Sequence, residues 1–106
     1  MSAPKPTPAA LIIAWCRDHG IDEPKREYKF CPHRDWKVDF AWVRHLIALE
    51  IEGGVWTGGR HVSPAGFLDD LQKYNELSLR GWRLLRATPD QVRDESALWL
   101  LWRALK

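Results

Sequence analysis

Three carboxylates stand where strand patterning alone would not put them: Asp39, Glu50 and Glu52. Aspartate is depleted in strands, yet Asp39 lies between Val38 and Phe40 in the alternating run Lys37–Trp42. Glu50 and Glu52 close an otherwise apolar alternating run, and a side-chain period of two points both to the same face. If the two runs pair as a hairpin, Asp39 comes within reach of both glutamates. Such a cluster is mutually repulsive unless something positive occupies it. Mg²⁺ (or Mn²⁺) is the natural occupant, because it takes hard oxygen ligands, keeps several waters and needs only one or two carboxylates plus a substrate phosphate. An ion held there lowers the pKa of a coordinated water and stabilises charge building on a phosphate in transit. That is the chemistry of phosphodiester hydrolysis. The competing reading is a solvated sheet face, and the Gly53-Gly54 pair that opens a glycine-rich loop directly after the acids weighs against it.

The elements that must position these acids follow from local signals. Residues 1–6 are proline-rich and read as a flexible lead-in. Thr7-Pro8 is an N-cap followed by proline at the first helical position, and Leu11, Ile12, Trp15 and Cys16 recur at helical spacing up to a stop at Gly20. Tyr28–Cys31 suits a short strand, and Val38, Phe40 and Trp42 alternate as a second. Over His45–Glu52, Ile47, Leu49 and Ile51 share one face and Leu46, Ala48, Glu50 and Glu52 the other; the Val43-Arg44 link implies an antiparallel hairpin. Ser63-Pro64 starts a helix to about Arg80, stopped by Gly81, and Trp82–Ala87 reads as a buried strand. Thr88 with Gln91 forms a capping box for one last helix. The order is α-β-β-β-α-β-α, an α/β (α+β) chain with a mixed central sheet flanked by helices and a C-terminal helix.

At 106 residues the length suits a single domain spanning 1–106. The longest apolar runs, Ala9–Ala14 and Ala97–Trp102, fall far short of the roughly 20 residues of a membrane span, so no membrane partner is expected. Two cysteines make no disulfide framework and the N-terminus lacks a signal-peptide layout, which suggests a cytoplasmic protein. A net charge of +2 is too small for a purely electrostatic nucleic-acid binder. It is compatible with DNA as substrate, since an acidic active site lowers the total. Arg34, Lys37 and Arg60 are candidate phosphate contacts, which position a duplex without reading its sequence. Trp56, isolated between two glycine pairs, and Trp36 are candidates to stack on bases. The last helix carries Leu98, Trp99, Leu101, Trp102 and Leu105, mostly core material, part of which could form a homodimer interface.

Asp39, then Glu50-Ile51-Glu52 after a hairpin-sized gap, inside an αβββαβ order, resembles the PD-(D/E)XK nuclease superfamily with its restriction-endonuclease-like core. Val38-Asp39-Phe40, Ala48–Gly54, His61, Asp70–Lys73 and Gly81–Arg86 are similar, in order and spacing, to its very-short-patch-repair-like branch and to small phage-encoded endonucleases. The likeness covers about residues 25–95. It implies that Asp39 and Glu50 are metal ligands, that Glu52 completes the site and that His61 assists at the scissile phosphate. Where the superfamily usually has lysine, two residues after the second acid, this chain has Glu52, which leaves open which residue activates water. Lys73 is a candidate replacement cation, although Asp69, Lys73, Glu76 and Arg80 share a helical face and could form ordinary surface pairs. Glu27 stands where related enzymes can supply a further acid, and reads more simply as a surface residue. Two other classes compete: a zinc module of Cys16, His19, Cys31 and His33, whose spacing is irregular, and a nuclease-like domain that only binds DNA or another protein.

Overall fold

A computed structural model describes residues 4–53 and 63–106 of the chain. Three of the four helix starts are set locally. The hydroxyls of Thr7, Ser63 and Thr88 accept hydrogen bonds from the backbone N–H groups of Ala10, Gly66 and Gln91, with proline at the first helical position each time. Helix α1 runs over Pro8–Asp18, α2 over Pro64–Leu79, α3 over Pro89–Arg93 and α4 over Ser96–Leu105. Gly20 and Gly81 follow α1 and α2 with φ of +67° and +84°, the left-handed stop that glycine adopts without a Cβ penalty.

Strands β1 (Lys25–Lys29), β2 (Lys37–Trp42), β3 (Ile47–Ile51) and β4 (Arg83–Ala87) form one sheet in the order β1-β2-β3-β4. The first three are antiparallel neighbours and β4 joins β3 in parallel after the α2 crossover, so the sheet is mixed. Alternation over Phe40–Trp42 and β3 divides the interior, while Val38, expected to share the Phe40 and Trp42 face, packs with the α2-side cluster. Phe40, Trp42, Ile47 and Leu49 pack against Ile12, Trp15 and Cys16 of α1, Val92 of α3 and Leu98 and Leu101 of α4. On the other face, the cross-strand partners Ala41 and Ala48 pack with Leu77 and Tyr74 of α2, Phe30, Cys31 and Trp82. Two alanines side by side leave room for a helix to lie close to the strands there, and α2 is the element that brings charged side chains to the sheet.

Four details depart from the sequence expectations. Strand β1 begins at Lys25, and Phe30 and Cys31 leave the ladder to be buried under α2. The β2–β3 link is longer than Val43-Arg44: a single 3₁₀ turn, Val43–His45, followed by Leu46 in the left-handed region (φ 53°). Strand β4 lies at the sheet edge, with Arg83 and Arg86 exposed and Leu84 and Leu85 half-buried. The expected last helix is two helices, because Glu95 takes φ 68° and the Asp94 carboxylate accepts from the Ser96 N–H at 2.8 Å. Of the apolar residues on α4, Leu98 and Leu101 are core while Trp99 and Leu100 stay exposed. No described helix is long and apolar enough to cross a membrane.

Candidate active site

Strand register brings the acids together. The partners Phe40–Leu49 and Ala41–Ala48 set Asp39 opposite Glu50 one step further along, and β4 sets Arg86 beside Glu50. On the other side, the pairs Arg26–Phe40 and Tyr28–Val38 bracket Glu27 and Asp39. Glu50 and Arg86 are ladder partners, Asp39 lies one step past the β2–β3 ladder, and Glu27 lies between two β1–β2 partners.

Each acid is held differently. Asp39 Oδ2 accepts from the Ile51 N–H at 2.8 Å, which ties β2 to the end of β3. Glu50 is the one buried charged residue among those described, 7% exposed. A buried carboxylate is costly unless paired and hydrogen-bonded, and α2 supplies both remedies. Lys73 Nζ donates to Glu50 Oε1 at 2.9 Å and the Tyr74 hydroxyl to the same oxygen at 2.8 Å. Glu52 lies just past β3, its N–H donating to the Ala87 carbonyl at 2.7 Å, and its carboxylate accepts from Arg86 Nε at 2.7 Å. Among the described residues, Asp39 Oδ1 and Glu50 Oε2 take no hydrogen bond.

Burial raises the Asp39 carboxyl above its ordinary range, and the charges of Glu50 and Glu27 push it further, against the Ile51 N–H and Lys73. Burial and the bond to Glu50 push the Tyr74 hydroxyl up, so it stays a donor. The hydrogen bond to Glu52 raises Arg86. Charge is therefore concentrated and only partly balanced around Asp39.

The structure sorts the sequence candidates. Asp39 and Glu50 are brought together, whereas Glu52 is turned to Arg86. Among the described residues no three His, Cys, Asp or Glu side chains converge as a ready metal cage. Lys73 leaves its helical neighbours for Glu50, and only Glu76–Arg80 forms the i,i+4 pair that the α2 spacing suggests. Arg34 stacks 4.0 Å over Trp36, and both donate to Asp69 Oδ1 at 3.1 Å, one helical turn before Lys73. Lys37 is exposed at the start of β2, two residues from Asp39. Trp56, Arg60 and His61 lie outside the described residues. The zinc set does not assemble: Cys16 is buried on the α1 face of the sheet and Cys31 on the α2 face. The His19 ring stacks on Trp15 at 4.1 Å, and burial pushes the Cys16 thiol up to about 11.

Glu27, read from the sequence as a surface residue, is exposed. It sits in the edge strand Lys25–Lys29 with φ 49°, a left-handed conformation that a non-glycine residue holds only at a cost of about 1–3 kcal/mol. Its sequence signal, an acid amid cations, looks like surface pairing. Glu27→Gly should relieve the strain and remove one charge facing Asp39, raising the metal-free Tm by about 4–8 °C per kcal/mol recovered. A melt in chelator showing a lower Tm would mean that contacts of the Glu27 side chain outweigh the strain.

Comparison with known proteins places the fold. No family model matches the chain. Two Mycobacterium tuberculosis proteins, uncharacterized protein Rv2248 of strain H37Rv and uncharacterized protein MT2308 of strain CDC 1551, are each 35% identical over 80 residues, 74% of this chain. The chain spans 28% of the length of these relatives. Among solved structures, the catalytic domain of the homing endonuclease I-Bth0305I superposes with a TM-score of 0.65 at 19% identity, covering 93% of this chain and 92% of that one. In fold, with its mixed four-stranded sheet flanked by helices, this chain is therefore similar to an endonuclease catalytic domain.

Proposed function

We propose that the chain is a Mg²⁺- or Mn²⁺-dependent DNA endonuclease of the PD-(D/E)XK type, acting on phosphodiester bonds at Asp39 and Glu50. One observation carries the reading: two half-buried to buried carboxylates lie near each other at the ends of β2 and β3, and among the described residues each has one oxygen held by the protein and the other not. This donor set fits a hard divalent cation, which needs only one or two carboxylates. Repulsion from Glu50 and Glu27 at Asp39 is the charge such an ion would relieve. The fold likeness to a homing endonuclease catalytic domain supports the same reading.

Asp39 and Glu50 would hold the ion, which when bound acidifies a coordinated water and offsets charge on the phosphate. The other side chains bind, orient and move protons. Lys73, 14% exposed at its side chain, carries three donors on a flexible stem. It is placed to turn from Glu50 to a phosphate oxygen and to stand in for the lysine that Glu52 replaces. Arg34 and Lys37 offer phosphate contacts beside the acids. His61, Arg60 and Trp56 keep their sequence-based roles, at the scissile phosphate, the backbone and a base respectively. Glu52, paired with Arg86, serves as an outer acid rather than a third ligand in this arrangement.

The test is cleavage of supercoiled, linear, single-stranded and branched DNA with Mg²⁺ and Mn²⁺, beside Glu50→Ala. Metal-dependent cutting by the parent, reduced at least about 10²-fold in the variant, is the expected result. Cutting that survives in Glu50→Ala, or that needs no divalent ion, would overturn the assignment.

A further inference from the structure

A carboxylate that ligates through one oxygen must be kept from turning, and the terminal torsion of glutamate is broad and roughly two-fold. Glu50 faces this problem directly, because among the described residues its two donors, Lys73 and Tyr74, address the same atom, Oε1. They are adjacent residues on α2, and they differ in how firmly they can hold. Lys73 ends a four-carbon stem with free rotamers, and the reaction proposed above asks it to turn toward a phosphate. Tyr74 has two side-chain torsions, a ring packed against the α2-face core and the Arg86 guanidinium carbon 5.4 Å from its ring centroid. Arg86 in turn donates to Glu52 at 2.7 Å. One ring therefore touches both branches of the acidic cluster: its hydroxyl holds Glu50, and its face carries the cation that holds Glu52.

The geometry points to Tyr74 as the positioning residue of the site: its hydroxyl fixes the Glu50 carboxylate with Oε2 presented to a divalent cation, whether or not Lys73 is in place. The inference rests on the reading of Glu50 as a metal ligand. Outer partners that orient ligating carboxylates typically contribute 10–100-fold in metal affinity or activity. Tyr74→Phe keeps the ring, its packing and its contact with Arg86, and deletes only the donor.

Calorimetric titration of Mn²⁺ alone into the full chain, without DNA, separates the possibilities, run below the metal-free Tm of each protein. Tyr74→Phe should bind Mn²⁺ about 10–100-fold more weakly than the parent. Its smaller metal-induced rise in Tm should report the same loss. A purely structural role would lower the metal-free Tm and leave the Mn²⁺ affinity unchanged, and that result overturns the inference while Glu50 remains a ligand. If the parent binds Mn²⁺ but Glu50→Ala binds it equally well, the ligand reading fails and takes the role of Tyr74 with it.

Discussion

Asp39→Asn is expected to lower metal-dependent DNA cleavage by at least about 10³-fold while the protein stays folded. A bound divalent ion supplies several kcal/mol of transition-state stabilisation, and each 1.36 kcal/mol is about tenfold in rate. Asparagine removes the anionic ligand but keeps an oxygen that can accept from the Ile51 N–H, so the tie between β2 and β3 survives. Stability should move the other way. Burial, Glu50 and Glu27 raise the Asp39 pKa in the folded state above the ordinary 3.8, so the folded protein binds this proton more tightly than the unfolded chain. Its contribution is then most favourable below 3.8 and is lost as pH rises through the raised value. Metal-free parent and Asp39→Asn should melt alike in acid, and the variant should melt higher at neutral pH. Mg²⁺ should raise the parent and leave the variant unmoved. A variant that melts lower than the parent at neutral pH would show that the carboxylate is structural, not a charge awaiting a cation.

Lys73→Met carries the second large effect, on stability. Removing one partner of a buried ion pair strands the other charge, typically at 3–5 kcal/mol. Glu50 is 7% exposed, and Tyr74 still donates to it after the substitution, so the cost here should fall near the lower end, about 3 kcal/mol. For a domain of this size that is a Tm lower by about 10–20 °C in chelator. Divalent cation should return much of the loss, since an ion at a hundredfold its Kd contributes about 2.7 kcal/mol. The metal-induced rise in Tm should thus be larger in Lys73→Met than in the parent, because the ion no longer competes with an internal ammonium. Equal rises in both proteins would mean that Lys73 and the cation do not share the Glu50 carboxylate.

Much of the scaffold was written locally in the sequence. The three caps at Thr7, Ser63 and Thr88, the stops at Gly20 and Gly81 and the period-two runs over β2 and β3 depend on neighbours within four residues, where chain geometry is nearly independent of the fold. The acids Asp39 and Glu50 were legible for the same reason, as charges breaking an apolar strand pattern. What the pattern could not express was partnership. Asp69, Lys73, Glu76 and Arg80 have one helical spacing, yet only Glu76 and Arg80 pair along it; Lys73 goes to Glu50 and Asp69 to Arg34 and Trp36, because α2 packs over Ala41 and Ala48 and meets the sheet. Glu27 is bracketed beside Asp39 by the β1–β2 register and takes a left-handed backbone. Glu95 splits the last helix by its own left-handed turn, against sound local helix signals. Cys16 and Cys31, compatible with one zinc site on paper, end on opposite faces of a sheet. Residue type and period determine which elements form and, Val38 aside, the face that the core side chains of β2 and β3 take. Which charges meet is decided by register and packing between segments distant in the chain, and only the folded chain holds that information.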